Sequence, residues 1–167
     1  SPLMLTAWKL APALAAGNTV VLKPSEFTSA SALEFMDLIK QAGIPDGVVN
    51  IVTGYGKEAG EALISHPDVA KITFTGGSAT GKHVYSTAAQ TFKKVSLELG
   101  GKSPNIVFDD CNIENAVKGA VSGIFAATGQ TCIAGSRLLV QKSIHDEFVE
   151  KLVALAKTAK MGDPMDM

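Results

Sequence analysis

Short β-branched runs separated by stretches of helical character recur along this chain, and that alternation limits the folds open to it. Thr19-Val20-Val21-Leu22 has the length and composition of a buried strand, and residues 48–52, 70–74, 94–97 and 105–108 repeat the signal. Between them, residues 30–41, 57–65 and 78–89 read as helices, the first closed by Gly43 and Pro45. A strand that returns parallel to its neighbour needs a crossover, and a helix is the usual one. The rhythm therefore predicts an α/β fold built on a doubly wound parallel sheet.

The flanks extend this pattern. Residues 3–16 form an apolar stretch in which Ser1 caps a helix, Pro2 takes its first position and Gly17 stops it. Pro12 is expected to kink or split that helix. Past Gly100-Gly101 come a long helix over 113–125, a glycine-rich turn, a strand over 138–140 and a last helix. Ser143-Ile144-His145-Asp146 resembles a capping box, and Ile144, Phe148, Leu152, Leu155 and Ala159 share one apolar face. This change of pattern beyond the glycine pair marks a domain boundary.

Composition removes several function classes. With 46% hydrophobic and 19% charged residues and a mean hydropathy of +0.21, the chain can bury a core and lacks the signature of disorder. Fifteen basic and sixteen acidic side chains give a net charge of −1, so no global field attracts nucleic acid or an anionic membrane. No apolar run approaches the roughly 20 residues of a membrane span, and the first residues carry no basic leader. Two cysteines, Cys111 and Cys132, are too few for a disulfide framework and point to a reducing compartment, the cytoplasm. His66, His83 and His145 are scattered without ligand spacing, so no metal is expected.

Four segments are candidates for chemistry. Gly76-Gly77-Ser78-Ala79-Thr80-Gly81-Lys82-His83 nearly matches the phosphate loop G-x-x-x-x-G-K-[ST], with Asp109 after a following strand as the metal-binding partner. His83 stands where that loop needs a hydroxyl for Mg²⁺. What remains is an anion-favouring helix start or a plain structural turn. Gly54-Tyr55-Gly56-Lys57-Glu58-Ala59-Gly60 is one residue longer than the usual dinucleotide fingerprint. Lys23 and Glu26 follow a strand's carboxyl end, where open sheets bind ligands and a carboxylate can take both ribose hydroxyls; the alternative is a solvated charged turn.

Cys132 lies in Thr128-Gly129-Gln130-Thr131-Cys132-Ile133-Ala134-Gly135, whose glycines let backbone approach a reacting atom. The competing reading is a small buried hydrophobe. Acidic neighbours oppose thiolate formation at Cys111, which reads as structural or merely exposed. Glu98 sits between Leu97 and Leu99 at a strand end; burial there would raise its pKa toward that of a general base, and the alternative is a carboxylate paired with a lysine or a backbone donor.

Taken together, Lys23-Pro24-Ser25-Glu26, Phe74-Thr75-Gly76-Gly77, Glu98-Leu99-Gly100-Gly101-Lys102-Ser103-Pro104 and Gly129-Gln130-Thr131-Cys132 resemble the NAD(P)-dependent aldehyde dehydrogenase superfamily in order and spacing, over essentially the whole chain. The resemblance implies residues 1–99 as part of a Rossmann-like NAD-binding domain and 100–167 as the start of a catalytic domain. It makes Cys132 the nucleophile that attacks the aldehyde carbon and Glu98 the base that activates the hydrolytic water. Lys23, Pro24, Ser25 and Glu26 would hold the adenosine ribose, and Gly56 would pack near the adenine. Phe74, Thr75, Gly76, Gly77, Thr80 and Leu99 complete the implied cofactor set. Glu26 favours NAD and leaves NADP open as a second cofactor.

Gly77 departs from the family's common serine, which removes one hydroxyl donor to phosphate. The family's catalytic asparagine would fall immediately before Ser1, and its later strands, its glutamate for the nicotinamide ribose and its subunit-pairing arm would follow Met167. The implied protein is a homo-oligomer, dimer or tetramer, acting on a small-molecule aldehyde, with this chain an internal fragment that has little or no activity alone and is prone to associate. A nucleotide-triphosphate-binding module and a non-catalytic remnant of the family are the alternatives. All of this rests on one geometric expectation, that Cys132 and Glu98 share a pocket facing the dinucleotide.

Overall fold

The structure, a computed structural model, describes residues 2–163, 165 and 166. Strands and helices alternate as the rhythm predicts, in three β-α-β units. β1 (Val20–Leu22), α2 (Ser29–Gln41) and β2 (Val49–Ile51) form the first, and α1 (Pro2–Ala15) precedes it. A short helix α3 (Glu61–Ser65) leads to the second, β3 (Lys71–Thr75), α4 (Ser78–Ala89) and β4 (Lys94–Glu98). The third is β5 (Pro104–Val107), α5 (Ile113–Phe125) and β6 (Arg137–Val140), followed by α6 (His145–Ala156).

Each strand pair is parallel: Val20 aligns with Val49, Thr75 with Glu98, and Ile106 with Leu139. The fold is thus α/β with parallel strands, laddered in three pairs among the described residues. The chain divides into two compact units, Ser1–Thr75 with Ala79–Glu98, and Gly76–Ser78 with Leu99–Met167.

Local differences have local causes. Pro12 does not split α1, which runs on to Ala15; the capping role expected of Ser1 lies outside the described residues. Residues 57–65 are not one α-helix. Gly56–Gly60 forms a wider π turn, with the Gly60 N–H bonded to the Tyr55 carbonyl at 3.3 Å, and only Glu61–Ser65 is α-helical. Ser143 does not cap α6. Its hydroxyl donates to the Asp109 carboxylate at 2.9 Å, Lys142–Ile144 is a 3₁₀ turn, and Ala159 lies exposed beyond the helix end.

Each unit has its own core. In the first, Leu10, Ile39 and Val49 are buried, with Leu14, Val20, Phe35 and Met36 packed around them. In the second, Val107, Val117, Ala120 and Phe148 are buried under Ile113, Leu138, Val140, Ile144, Leu152 and Leu155. The predicted apolar face of the last helix is therefore found from Ile144 to Leu155. Cys111 packs against this core half-buried, as a structural thiol. The opposite face of β5 and β6 is apolar and bare, since Ile106, Phe108 and Leu139 are all more than half exposed.

Phe148 has no exposed surface at all. Truncating a fully buried phenylalanine removes its transfer energy and leaves a cavity that the core refills only in part. Phe148→Ala is expected to cost about 3–5 kcal/mol, read from the urea midpoint; a loss under about 1 kcal/mol would mean the site collapses freely. By contrast, the exposed Lys151 bridge from α6 to Glu114 on α5, at 2.5 Å, contributes little.

Candidate active site

The carboxyl ends of β1 and β2 bring two of the flagged motifs together. β1 passes directly into Lys23-Pro24, where Pro24 is buried, and Val52 donates its N–H to the Leu22 carbonyl at 3.0 Å. The Lys23 ammonium reaches across to donate to the Gly54 carbonyl at 3.1 Å and to its neighbour Pro24 at 2.6 Å. Gly54 must be glycine: its φ is +148°, and a Cβ there would meet that of Ala59 at 2.9 Å. Gly56 opens the next turn with nothing within 4 Å of a notional Cβ, so a flat ring can approach its backbone. Ser25 and Glu26 are exposed, and the Ser25 carbonyl accepts the Thr28 N–H at 2.9 Å in a turn that starts α2.

A second cluster sits at the carboxyl end of β3 and β4. Phe74 and Thr75 are half-buried at the end of β3, and Glu98 is the register partner of Thr75. From α1, Lys9 donates its ammonium to the Thr75 hydroxyl at 2.6 Å. Glu98 is exposed rather than buried, so the burial expected from its apolar neighbours is not found. The strand's end accounts for this: Val95, Ser96 and Leu97 are all half-buried, and Glu98 is the last residue of β4.

Lys9 is the residue that motif reading passed over, although the signal was present: it is the one charged side chain of α1. Burial pushes its pKa below the usual 10.5, and the Glu98 carboxylate offsets this only in part. The folded chain therefore gives up this proton before the unfolded chain does. Stability tied to Lys9 rises as pH climbs from the lowered value toward 10.5. Over that window the wild-type chain is expected to gain on Lys9→Met. Urea midpoints at roughly neutral pH and just below 10.5 measure the gain, and a constant gap between the two proteins would remove the assignment.

Gly76 and Gly77 precede α4 and are exposed, and Gly77 has open space where a Cβ would stand. α4 runs twelve residues from Ser78, so its first N–H groups point toward that turn. The same boundary weighs against the triphosphate-loop alternative. Ser78 to His83 are already helical and Gly81 is buried, so their N–H groups cannot wrap a phosphate chain. Asp109 is likewise engaged, by Gln141 at 2.6 Å and Ser143 at 2.9 Å. Thr80 is exposed on α4, and Leu99 is half-buried just after β4.

Cys132 is exposed in the loop between α5 and β6. Its carbonyl lies 3.6 Å from a notional Cβ on Gly101, so the glycine pair after Glu98-Leu99 leaves room for this loop. Thr131 is half-buried, Ile133 is 76% exposed, and Ala134 is buried as the loop's anchor. Glu98 belongs to the first compact unit, and Cys132 belongs to the second. Among the described residues no group of three His, Cys, Asp or Glu could hold a metal ion, and no helix is long and apolar enough to cross a membrane.

The described residues thus hold an exposed thiol in a glycine-bounded loop of the second unit and, in the first, an exposed carboxylate that interacts with Lys9. Comparison with known proteins gives the family. Residues 1–167 match the aldehyde dehydrogenase family throughout, and the chain belongs to that family. It is 56% identical over all 167 residues to a (Z)-2-((N-methylformamido)methylene)-5-hydroxybutyrolactone dehydrogenase of Acinetobacter baylyi, covering 34% of that protein.

Over 165 residues it is 54% identical to the chloroplastic aminoaldehyde dehydrogenase ALDH10A8 of Arabidopsis thaliana, covering 99% of this chain and 33% of that one. Among solved structures, PnpE from Pseudomonas sp. WBC-3 superposes with a TM-score of 0.91 at 56% identity, over 99% of this chain and 34% of PnpE. PnpE has also been solved in complex with nicotinamide adenine dinucleotide. The chain thus spans about a third of the length of the relatives it matches.

Proposed function

We propose that this chain is the segment of an NAD-dependent aldehyde dehydrogenase that carries its nucleophile and its general base. The observation that carries the reading is the state of Cys132, a free, exposed thiol in a loop where glycines keep side chains away. In this reading residues 1–99 supply part of the dinucleotide-binding domain and 100–167 the start of the catalytic domain. The open backbone at Gly56 and Gly77, and the Lys23 ammonium set against the Gly54 carbonyl, fit a dinucleotide with its adenosine half over β1 and β2 and its pyrophosphate at the α4 N-terminus. Glu26, exposed beside Lys23, would accept the ribose hydroxyls and disfavour a 2′-phosphate. NADP is the second choice. Thr75, Thr80 and Leu99 would line the same cofactor path.

Bound NAD supplies the hydride acceptor. The protein's part is nucleophilic: the Cys132 sulfur forms a bond to the aldehyde carbon and holds the resulting acyl group as a thioester once that carbon is oxidised. Glu98 then takes a proton from water as the water's oxygen bonds the acyl carbon, and the carbon–sulfur bond breaks to return the thiolate and release the carboxylic acid. Lys9 holds the end of β3 through Thr75 and sets the charge around Glu98. Two free thiols suit a reducing compartment such as the cytoplasm. The parent enzyme would be a dimer or tetramer. Its substrate is an aldehyde, the small-molecule class shared by the family.

Calorimetric titration of the full-length protein with NAD and with Mg-ATP tests the cofactor reading. Binding of NAD alone is expected. Mg-dependent ATP binding with no response to NAD would replace it with a triphosphate-binding module.

A further inference from the structure

The π turn Gly56–Gly60 and the short helix α3 that continues it carry no buried side chain. Within the segment, the Glu58 and Gly60 N–H groups donate to the Tyr55 carbonyl at 3.1 and 3.3 Å, and the Ser65 hydroxyl donates to the Glu61 carboxylate at 3.4 Å. These bonds shape it without fixing it to anything else. On one side it rests on the stem of Lys23, whose Cδ lies 3.7 Å from a notional Cβ on Gly60. Wide turns of this kind are rare and recur at functional sites.

One bond ties the segment to α4. His83 Nε2 donates to the Glu61 carboxylate at 2.6 Å, and among the described residues this is the sole side-chain hydrogen bond from residues 56–65 to another element. His83 stands three residues after Thr80, so the two share a face of α4. Glu61 directly follows the turn that Gly56 opens. The pair therefore draws together two surfaces that the cofactor reading assigns to one ligand, the open backbone at Gly56 and the exposed face of α4 at Thr80. Among the described residues, Lys57 and Glu58 on the turn and Lys82 on α4 form no ion pair with either partner.

We propose that Glu61 and His83 are positioning residues for the adenine of the dinucleotide, a clasp that holds the Gly56 turn and the Thr80 face of α4 on either side of the base. A flat base gains from contact on both faces only when both walls are already in place, and a wall with no buried residue has to be held by a bond. With the clasp open, the contact at Lys23 alone retains the turn. Binding must then close it, and apparent affinity falls by the fraction of molecules that are closed. Neither side chain has to touch the base. The proposal rests on the reading of residues 1–99 as part of a dinucleotide-binding domain and adds to it the pair that sets the width of the adenine seat.

Charge reversal in the full-length protein is the test, read as the KM for NAD and as the inhibition constant of adenosine monophosphate, which carries the adenosine half alone. Glu61→Lys sets a cation against His83, and His83→Glu sets a carboxylate against Glu61. Each is expected to raise both constants by about three- to fivefold, the scale of a partly exposed ion pair, while kcat holds. The double variant Glu61→Lys with His83→Glu restores opposite charges and should return both constants to within about twofold of the wild type. The sign separates a clasp from a field effect. NAD is an anion, so charge alone would tighten binding in Glu61→Lys and weaken it in His83→Glu, and that pattern would overturn the proposal. A double variant no better than the worse single one would overturn it as well, as would unchanged constants with shifted thermal midpoints, since the pair would then serve stability alone. A wild-type enzyme that binds no NAD would withdraw the dinucleotide reading and the clasp with it, whereas NAD binding that ignores both substitutions removes the clasp alone.

Discussion

Cys132→Ala in the full-length enzyme is expected to lower aldehyde-dependent NADH formation by about 10⁵-fold or more, the scale seen when a covalent nucleophile is deleted. Affinity for NAD is expected to stay the same. The size of the effect follows from the absence of a substitute. Cys111, the other thiol, is half-buried against the core of the second unit and cannot accept an aldehyde without unpacking it. The hydroxyls nearest in sequence, on Thr128 and Thr131, would need a base to ionise them. Cys132→Ala deletes an exposed side chain that carries no packing, so the fold should be unchanged and the loss should appear in kcat. Turnover within tenfold of the parent would withdraw Cys132 as the nucleophile.

Much of the architecture was legible because it is written locally. α4 and α5 begin and end where the sequence places helices, over 78–89 and 113–125; Asn112 accepts the Asn115 N–H at 3.0 Å from the N-cap position of α5. What escaped reading depends on partners far along the chain. Ser143 looks like a cap until Asp109, 34 residues earlier, takes its hydroxyl. Lys9 looks like a lone solvated charge until Thr75, 66 residues later, accepts a hydrogen bond from its ammonium.

The exposure of Glu98 could not be read from Leu97 and Leu99 either, because two apolar neighbours state what a strand buries on one face and not where the strand ends. Strain at Ala127 and Thr128 is invisible for a related reason: neither residue type announces a left-handed backbone, and only the adjacent Gly129 hints at a turn.

Glu98→Gln should separate the two halves of the proposed reaction. Glutamine keeps the size and position of the side chain but cannot take a proton from water, so acylation of Cys132 would proceed while hydrolysis stalls. The expected record is one equivalent of NADH formed rapidly per active site, followed by steady turnover slower by about 10²–10⁴-fold, the usual yield of a positioned base. The exposure of Glu98 suits this role, since a base for hydrolysis must admit water to its carboxylate. Lys9 constrains it further: its ammonium is fixed on the Thr75 hydroxyl and interacts with the Glu98 charge, so deleting that charge removes an influence that raises the Lys9 pKa. Lys9 should therefore titrate still lower in Glu98→Gln than in the wild type, a shift that NMR of the lysine side chain can follow. A variant with full turnover, no burst and an unmoved Lys9 would leave Glu98 as a surface carboxylate, and the base would have to be sought elsewhere in the enzyme.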